Sequence, residues 1–186
     1  RQWARHRNLR FITGNHEEML LDSLAEPEVL KHFLWHGGKE TFASYGIDRD
    51  MINSTELEDL VDIVNQAISP DDVAFLQSFE QSITKGDYHF VHAGVMPGVP
   101  LELQIPEHTR WIREPFLSYR KPHEAIIVHG HSINDEPEVR SNRIGIDTGA
   151  YRTGRLTALG LEGTSRWFLQ AREEQGRISA MTRSIL

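Results

Sequence analysis

Four short stretches carry the residue types that ligate cations, move protons and grip oxyanions: Thr13-Gly14-Asn15-His16-Glu17, His92-Ala93-Gly94, Arg113-Glu114 and His129-Gly130-His131-Ser132. Asn15 offers a neutral carbonyl oxygen that suits a divalent cation, and His16 can ligate or transfer a proton. His92 closes an apolar run, and Arg113 brings a rigid fork of donors suited to an oxyanion. In His129-Gly130-His131 the glycine lets the backbone come close, which makes the pair a stronger metal signal than a lone histidine. Asn15, His92 and His131 together supply one oxygen and two nitrogens, a set compatible with Mn, Fe or Zn. Each also has a plain structural reading. Gly-Asn-His-Glu is a good helix start, His92 can be a hydrogen-bonded strand residue, and Arg113 can be an ordinary ion-pair arginine. Asp48-Arg49-Asp50 looks like a metal motif but reads better as a solvated polar connection. Asp147 reads as a residue that orients a loop or a histidine.

These residues act together only if strands end beside one another. The apolar run 9–12 before Gly14 reads as a strand that delivers Asn15 and His16 to a sheet edge. After it, Met19, Leu20 and Leu24 predict a helix opened by Glu17 and Glu18 and ended at Pro27. A second helix from Pro27 carries Val29, Leu30, Phe33 and Leu34 and stops at Gly37-Gly38, with Trp35 packed beside the stop and His36 at its C-terminus. Residues 41–46 read as a turn or short helix. A capping box from Thr55 to Glu58 predicts the next helix, and Ser69-Pro70 with Asp72 the one after. Residues of about 17–80 are thus mostly helical.

Ile83-Thr84-Lys85 and Tyr88 to His92 predict a hairpin through Gly86-Asp87, with His89 and His92 on opposite faces. Residues 95–106 hold three prolines and read as a loop, and residues 109–116 as a short helical turn. Ala125 to Val128 is a continuous apolar run, as in a strand buried on both faces. Strands are also expected at Val139-Arg140 and 143–147, and a hairpin joins Leu156–Leu161 to Ser165–Gln170. These late strands imply a second sheet packed face to face with the first. The tail from Glu173 is weakly patterned and reads as loose.

The 186 residues are 39% hydrophobic and 25% charged, enough for one domain with a sizeable core. A net charge of -7 gives no basic field for a nucleic-acid partner. There is no cysteine, which excludes disulfides and thiolate chemistry, and no apolar stretch approaches the roughly 18 residues of a membrane span. A cytoplasmic location without membrane association is expected. Arg5 and Arg7 would suit the last turn of a helix that begins before the sequence, so an N-terminal portion is expected to be missing.

The chain resembles the calcineurin-like metallophosphoesterases, and within them the bacterial serine/threonine protein phosphatases that border on the diadenosine tetraphosphate hydrolases. The resemblance rests on Gly14-Asn15-His16-Glu17, Phe90-Val91-His92-Ala93-Gly94-Val95, Trp111-Ile112-Arg113-Glu114, Val128-His129-Gly130-His131-Ser132 and residues 142–150, in that order. It implies an α/β fold, a four-layer α/β/β/α sandwich with a helical insert over about 17–80, truncated at its N-terminus, within a partial domain of residues 1–171 followed by a tail of 172–186. It implies that Asn15, His92 and His131 bind metal, that His16 acts on the leaving oxygen and that Arg113 holds phosphate. It further implies two divalent ions, Mn with Fe, Zn or Ni as alternatives, and hydrolysis of a phosphoprotein or phosphorylated small molecule through a bridging water. A dinucleoside polyphosphate hydrolase and a non-catalytic fragment are the alternatives. Two upstream motifs of that family, which hold the first metal and bridge both, are absent from the chain, and the oligomeric state is left open.

Overall fold

The computed structural model describes Trp3 and residues 6–185, and it divides the chain into two compact units, Arg1–Glu80 and Gln81–Leu186. The architecture is a mixed α/β fold with two β-sheets, and no helix among the described residues is long and apolar enough to cross a membrane.

The first unit is helical. Helix α1 (Asn15–Asp22) opens where the Glu17 carboxylate accepts from the Gly14 N–H at 2.8 Å, and it buries Met19 and Leu20. Helix α2 (Pro27–Phe33) begins at the proline, whose missing N–H costs nothing in a first turn. A π-helical segment (Leu34–Gly38) leads into α3 (Lys39–Ser44), followed by α4 (Arg49–Ser54), α5 (Leu57–Ala67) and α6 (Pro70–Gln77). Leu30, Phe33, Phe42, Ile52, Leu60 and Val64 form the interior.

Several expectations change here. The run 9–12 makes only an isolated bridge, Ile12 to Glu80, because just a few residues separate the end of α6 from the next strand and leave little to pair with. Gly37-Gly38 does not stop the helix. Gly37 takes φ +98°, the chain turns through the π-helical segment, and a side chain on Gly38 would meet the Phe33 carbonyl at 2.7 Å. Trp35 is not packed at all, being 83% exposed. Asp48 caps α4 by accepting from the Asp50 and Met51 N–H groups, which turns the supposed connection into a helix start. Thr55 ends α4 by donating to the Met51 carbonyl, so the cap of α5 falls to Glu56, which makes no side-chain cap bond. Arg7 lies in a bend, and Arg5 is outside the described residues.

Ser69 caps α6 as expected, its Oγ accepting from the Asp72 N–H at 3.1 Å and donating to the Asp72 carboxylate at 2.8 Å. Ser69→Ala is expected to lower stability by about 1 kcal/mol, read as a shift in the urea midpoint with unchanged slope. A midpoint equal to the parent's would show that the cap contributes nothing.

The second unit holds both sheets. Strands β1 (Ser82–Lys85) and β2 (Tyr88–Val91) form the expected hairpin. Helix α7 (Pro106–Trp111) follows a loop containing one 3-10 turn (Leu101–Leu103). Next come β3 (Ile126–His129), β4 (Glu138–Val139) and β5 (Arg143–Gly145). The order is β1-β2-β3-β5-β4, with β2, β3 and β5 mutually parallel. After the short α8 (Ala150–Thr153), β6 (Arg155–Glu162), β7 (Ser165–Glu174) and β8 (Arg177–Ile185) make an antiparallel sheet. The stretch expected to be a loose tail is therefore mostly β8.

The first sheet is buried on both faces. Ile127 and Val91 pack with Ala93, Val95, Ile112 and Phe116 on one side. Val128 and Ile144 meet Phe168, with Leu159 and Ile185 of the second sheet, on the other. This explains why Ala125 to Val128 is apolar without alternation, and it sets the two sheets face to face.

Candidate functional site

Because β2, β3 and β5 are parallel, the residues that follow them, His92, His131 and Asp147, leave the sheet at one edge, the position α/β folds use for ligands. Backbone bonds set the spacing: the Gly130 N–H donates to the His92 carbonyl at 2.8 Å and the Ile146 N–H to the His129 carbonyl at 2.9 Å. Beyond β3 the chain turns sharply. The Ser132 N–H donates to the Gly130 carbonyl at 2.6 Å, and His131 adopts φ +60°, unusual for a residue with a Cβ. That turn brings the His131 ring to 5.2 Å from His92 and 6.3 Å from Trp111, centroid to centroid. Helix α7 is tied in by the Ala93 N–H, which donates to the Thr109 carbonyl at 2.7 Å, and Arg113 follows it.

The site keeps His131 uncharged. Burial pushes its pKa down to about 4, helped by the positive Arg113 and by His92, against a hydrogen bond to the Trp111 carbonyl and the negative Asp147. Its Nε2 is buried and has no hydrogen-bond partner among the described residues. Arg113 itself is exposed. Asp147 accepts from the Gly149 N–H at 2.9 Å, which anchors the following loop. Its part in orienting that loop is the one read from the sequence.

His129 is built differently from His131 despite the single glycine between them. It is 1% exposed, its Nδ1 donates to the Gly130 carbonyl at 3.1 Å, and its Nε2 accepts from Arg143 Nη1 at 3.2 Å. The second contact requires the neutral ring, and burial first, then Arg143, pushes its pKa down to about 4 against the Gly130 bond, which favours the charged form. Arg143, 3% exposed, pairs with Glu138 at 2.5 Å. Burial pushes the Glu138 carboxyl up, but bonds from Arg140 and Arg143 hold it below the usual range. His89 is likewise interior, 2% exposed, with Nδ1 2.8 Å from Thr84 Oγ1.

The second unit thus brings together His92, His131 and Arg113. Asn15 and His16 belong to the first unit, where Asn15 is the buried first residue of α1 and the exposed His16 ring meets Phe33 edge-on at 5.9 Å. The neighbours that the sequence reading passed over are the Trp111 carbonyl and Arg143. Neither had a signal in the sequence, since one is a backbone group and the other looks like any strand-start arginine.

The two-metal centre with Mn, Fe, Zn or Ni is not borne out. Among the described residues no group of three or more His, Cys, Asp or Glu is placed to hold a metal ion. The positive Arg113 near His131 also disfavours a cation there, and Asp147 accepts from the Gly149 N–H. The assignments that depended on that centre fall with it: metal-dependent phosphoester hydrolysis, the serine/threonine phosphatase, the dinucleoside polyphosphate hydrolase and the manganese cofactor. The family assignment is corrected as well: no protein-family model matches the chain, and no curated protein matches it.

Proposed function

We propose that the carboxyl edge of β2, β3 and β5 is a recognition site for a phosphate monoester, carried by a small molecule or by a phosphorylated protein side chain. One observation carries this reading: the Arg113 guanidinium stands beside a histidine held neutral whose Nε2 has no partner among the described residues. Arg113 donates to the phosphoryl oxygens, where its planar fork fits the oxyanion. With its own proton engaged by the Trp111 carbonyl, His131 presents a lone pair to the remaining P–OH proton of the monoanion. Asp147 disfavours a second negative charge, so the monoanion binds better than the dianion. Trp111 supplies an apolar wall for the group that bears the phosphate.

Titration of the full chain with inorganic phosphate and O-phosphoserine, followed by calorimetry and by the Trp111 indole and histidine ring NMR signals, tests the reading. Binding is expected to shift those signals, and Arg113→Ala is expected to weaken it about 10- to 100-fold, the loss of one or two charged hydrogen bonds. Unchanged affinity in Arg113→Ala, or shifts confined to residues elsewhere, would overturn it.

A further inference from the structure

The edges of the two sheets differ in how they are protected. In the first sheet β1 has four residues and β4 two, too short to recruit another strand. In the second, the β6 edge is partly used: the Arg155 carbonyl accepts from Thr148 Oγ1 at 2.7 Å, and the Arg155 guanidinium pairs with Glu136. The opposite edge is β8, and no described residue pairs with its outer side. It pairs with β7 over nine consecutive residues without a bulge, and it contains no Pro, Gly, Lys or acidic residue. Its residues 177–184 are exposed on both faces, with Ile178 80% and Met181 46% exposed. A long, regular edge strand bare on both sides, with a free row of backbone donors and acceptors, is a template for another strand.

The sequence of β8 selects its partner. Two copies pairing antiparallel edge to edge are related by a two-fold axis perpendicular to the sheet. That axis keeps each side chain on its own face, so a residue can oppose only one of the same parity, and the axis must pass through a self-paired residue. Centred on Ala180, the pairing sets Arg177 against Arg183 of the other copy, like charges directly opposed. Centred on Thr182, it reaches only residues 179–185. Centred on Met181, it engages all nine residues, placing Arg183 opposite Ser179, Arg177 opposite Ile185 and Met181 against itself. Arg177 already has Glu174 across from it in β7, and Arg183 lies 5.7 Å from the Phe168 ring, so both guanidinium groups are partly accommodated before association.

We infer that the β8 edge is a self-association surface: a second copy of this chain adds its own β8 antiparallel in the register centred on Met181, giving a continuous six-stranded sheet β6-β7-β8-β8-β7-β6.

Light scattering during size-exclusion chromatography of the full chain should show twice the chain mass at high concentration and dissociation on dilution. Because the protein has no cysteine, Met181→Cys should form one intermolecular disulfide under mild oxidation, whereas Ile178→Cys, set across from Ser184, should not. Met181→Lys and Met181→Glu should each be monomeric, and an equimolar mixture should recover the dimer, which separates loss of the interface from loss of the fold. A monomer at every concentration, the outcome if a different protein strand is the occupant, overturns the inference. So does a dimer that neither crosslinks through position 181 nor responds to charge there.

Discussion

Arg143→Ala is expected to destabilise the protein by about 3 kcal/mol, the lower end of the cost of breaking a buried ion pair from one side, because Arg143 is buried while Glu138 is 24% exposed. Arg143 pairs with Glu138 at 2.5 Å, donates to His129 Nε2 and to the Leu117 carbonyl, each at 3.2 Å, and lies 5.8 Å from the Phe116 ring. Its removal leaves the Glu138 carboxylate with Arg140 alone, strips an acceptor nitrogen of its donor and opens a void beside Phe116. Arg143→Met, which refills most of the volume, should still leave those polar groups unsatisfied. Adding Glu138→Gln to it should restore a large part of the loss, since replacing a buried pair as a whole is much less costly than halving it. Equilibrium urea unfolding of the three variants checks this. A loss below about 1 kcal/mol for Arg143→Ala would mean that the network is held by its surroundings and not by the arginine. The result bears on the site because Ile127 and His129, the ends of the run that carries His131, pair directly with Arg143 and Gly145 of β5.

Acid is the second large effect. His129 and His131 titrate at about 4 in the fold, against about 6.5 in an unfolded chain. Between those values the unfolded state binds more protons, so stability is complete above about pH 6.5 and is lost as pH falls toward 4. For the buried His129 the loss is on the order of 3 kcal/mol. For the half-exposed His131 it is smaller, because solvent screens part of the shift. The groups facing His129 are Arg143, Glu138 and Asp147, and those facing His131 are Arg113, His92 and Asp147. Glu138 is held below the usual carboxyl range, so its own loss falls at lower pH and does not cancel the histidine effect. Urea midpoints should stay level from pH 7.5 to about 6.5 and then fall down to pH 4.5, and His129→Gln should flatten the fall. A parent midpoint independent of pH over that range would show that the rings are not held neutral by the fold.

Sequence periodicity was most legible where local rules and burial agree. Gly86-Asp87 between two short apolar runs made the hairpin plain, Ser69-Pro70-Asp72 opened α6, and the unbroken run Ala125 to Val128 announced a strand covered on both sides. It misled where one residue type serves two structures. Gly37-Gly38 marks a helix end in most chains, but here positive φ and a 2.7 Å approach to Phe33 carry the helix through a kink. The stretch from Glu173 lacks alternation because only Ile185 of β8 meets the core, and alternation is a record of one-sided burial.

The candidate site divides the same way. His92, Arg113 and His131 stand out as residue types at the ends of apolar runs, and that much is a property of the sequence. The sequence also determined the β1–β2 and β6–β7 hairpins, the starts of α1, α2 and α6 and the need for two sheets, because propensity, capping and apolar spacing act over a few neighbouring residues. Only the tertiary structure decided that His129 is locked against Arg143, that His131 turns toward Trp111 through a left-handed backbone, and that three or more metal-type ligands do not converge among the described residues. Those outcomes depend on which side chains meet across strands distant in sequence, and on burial that shifts charge, neither of which is written in any local run of residues.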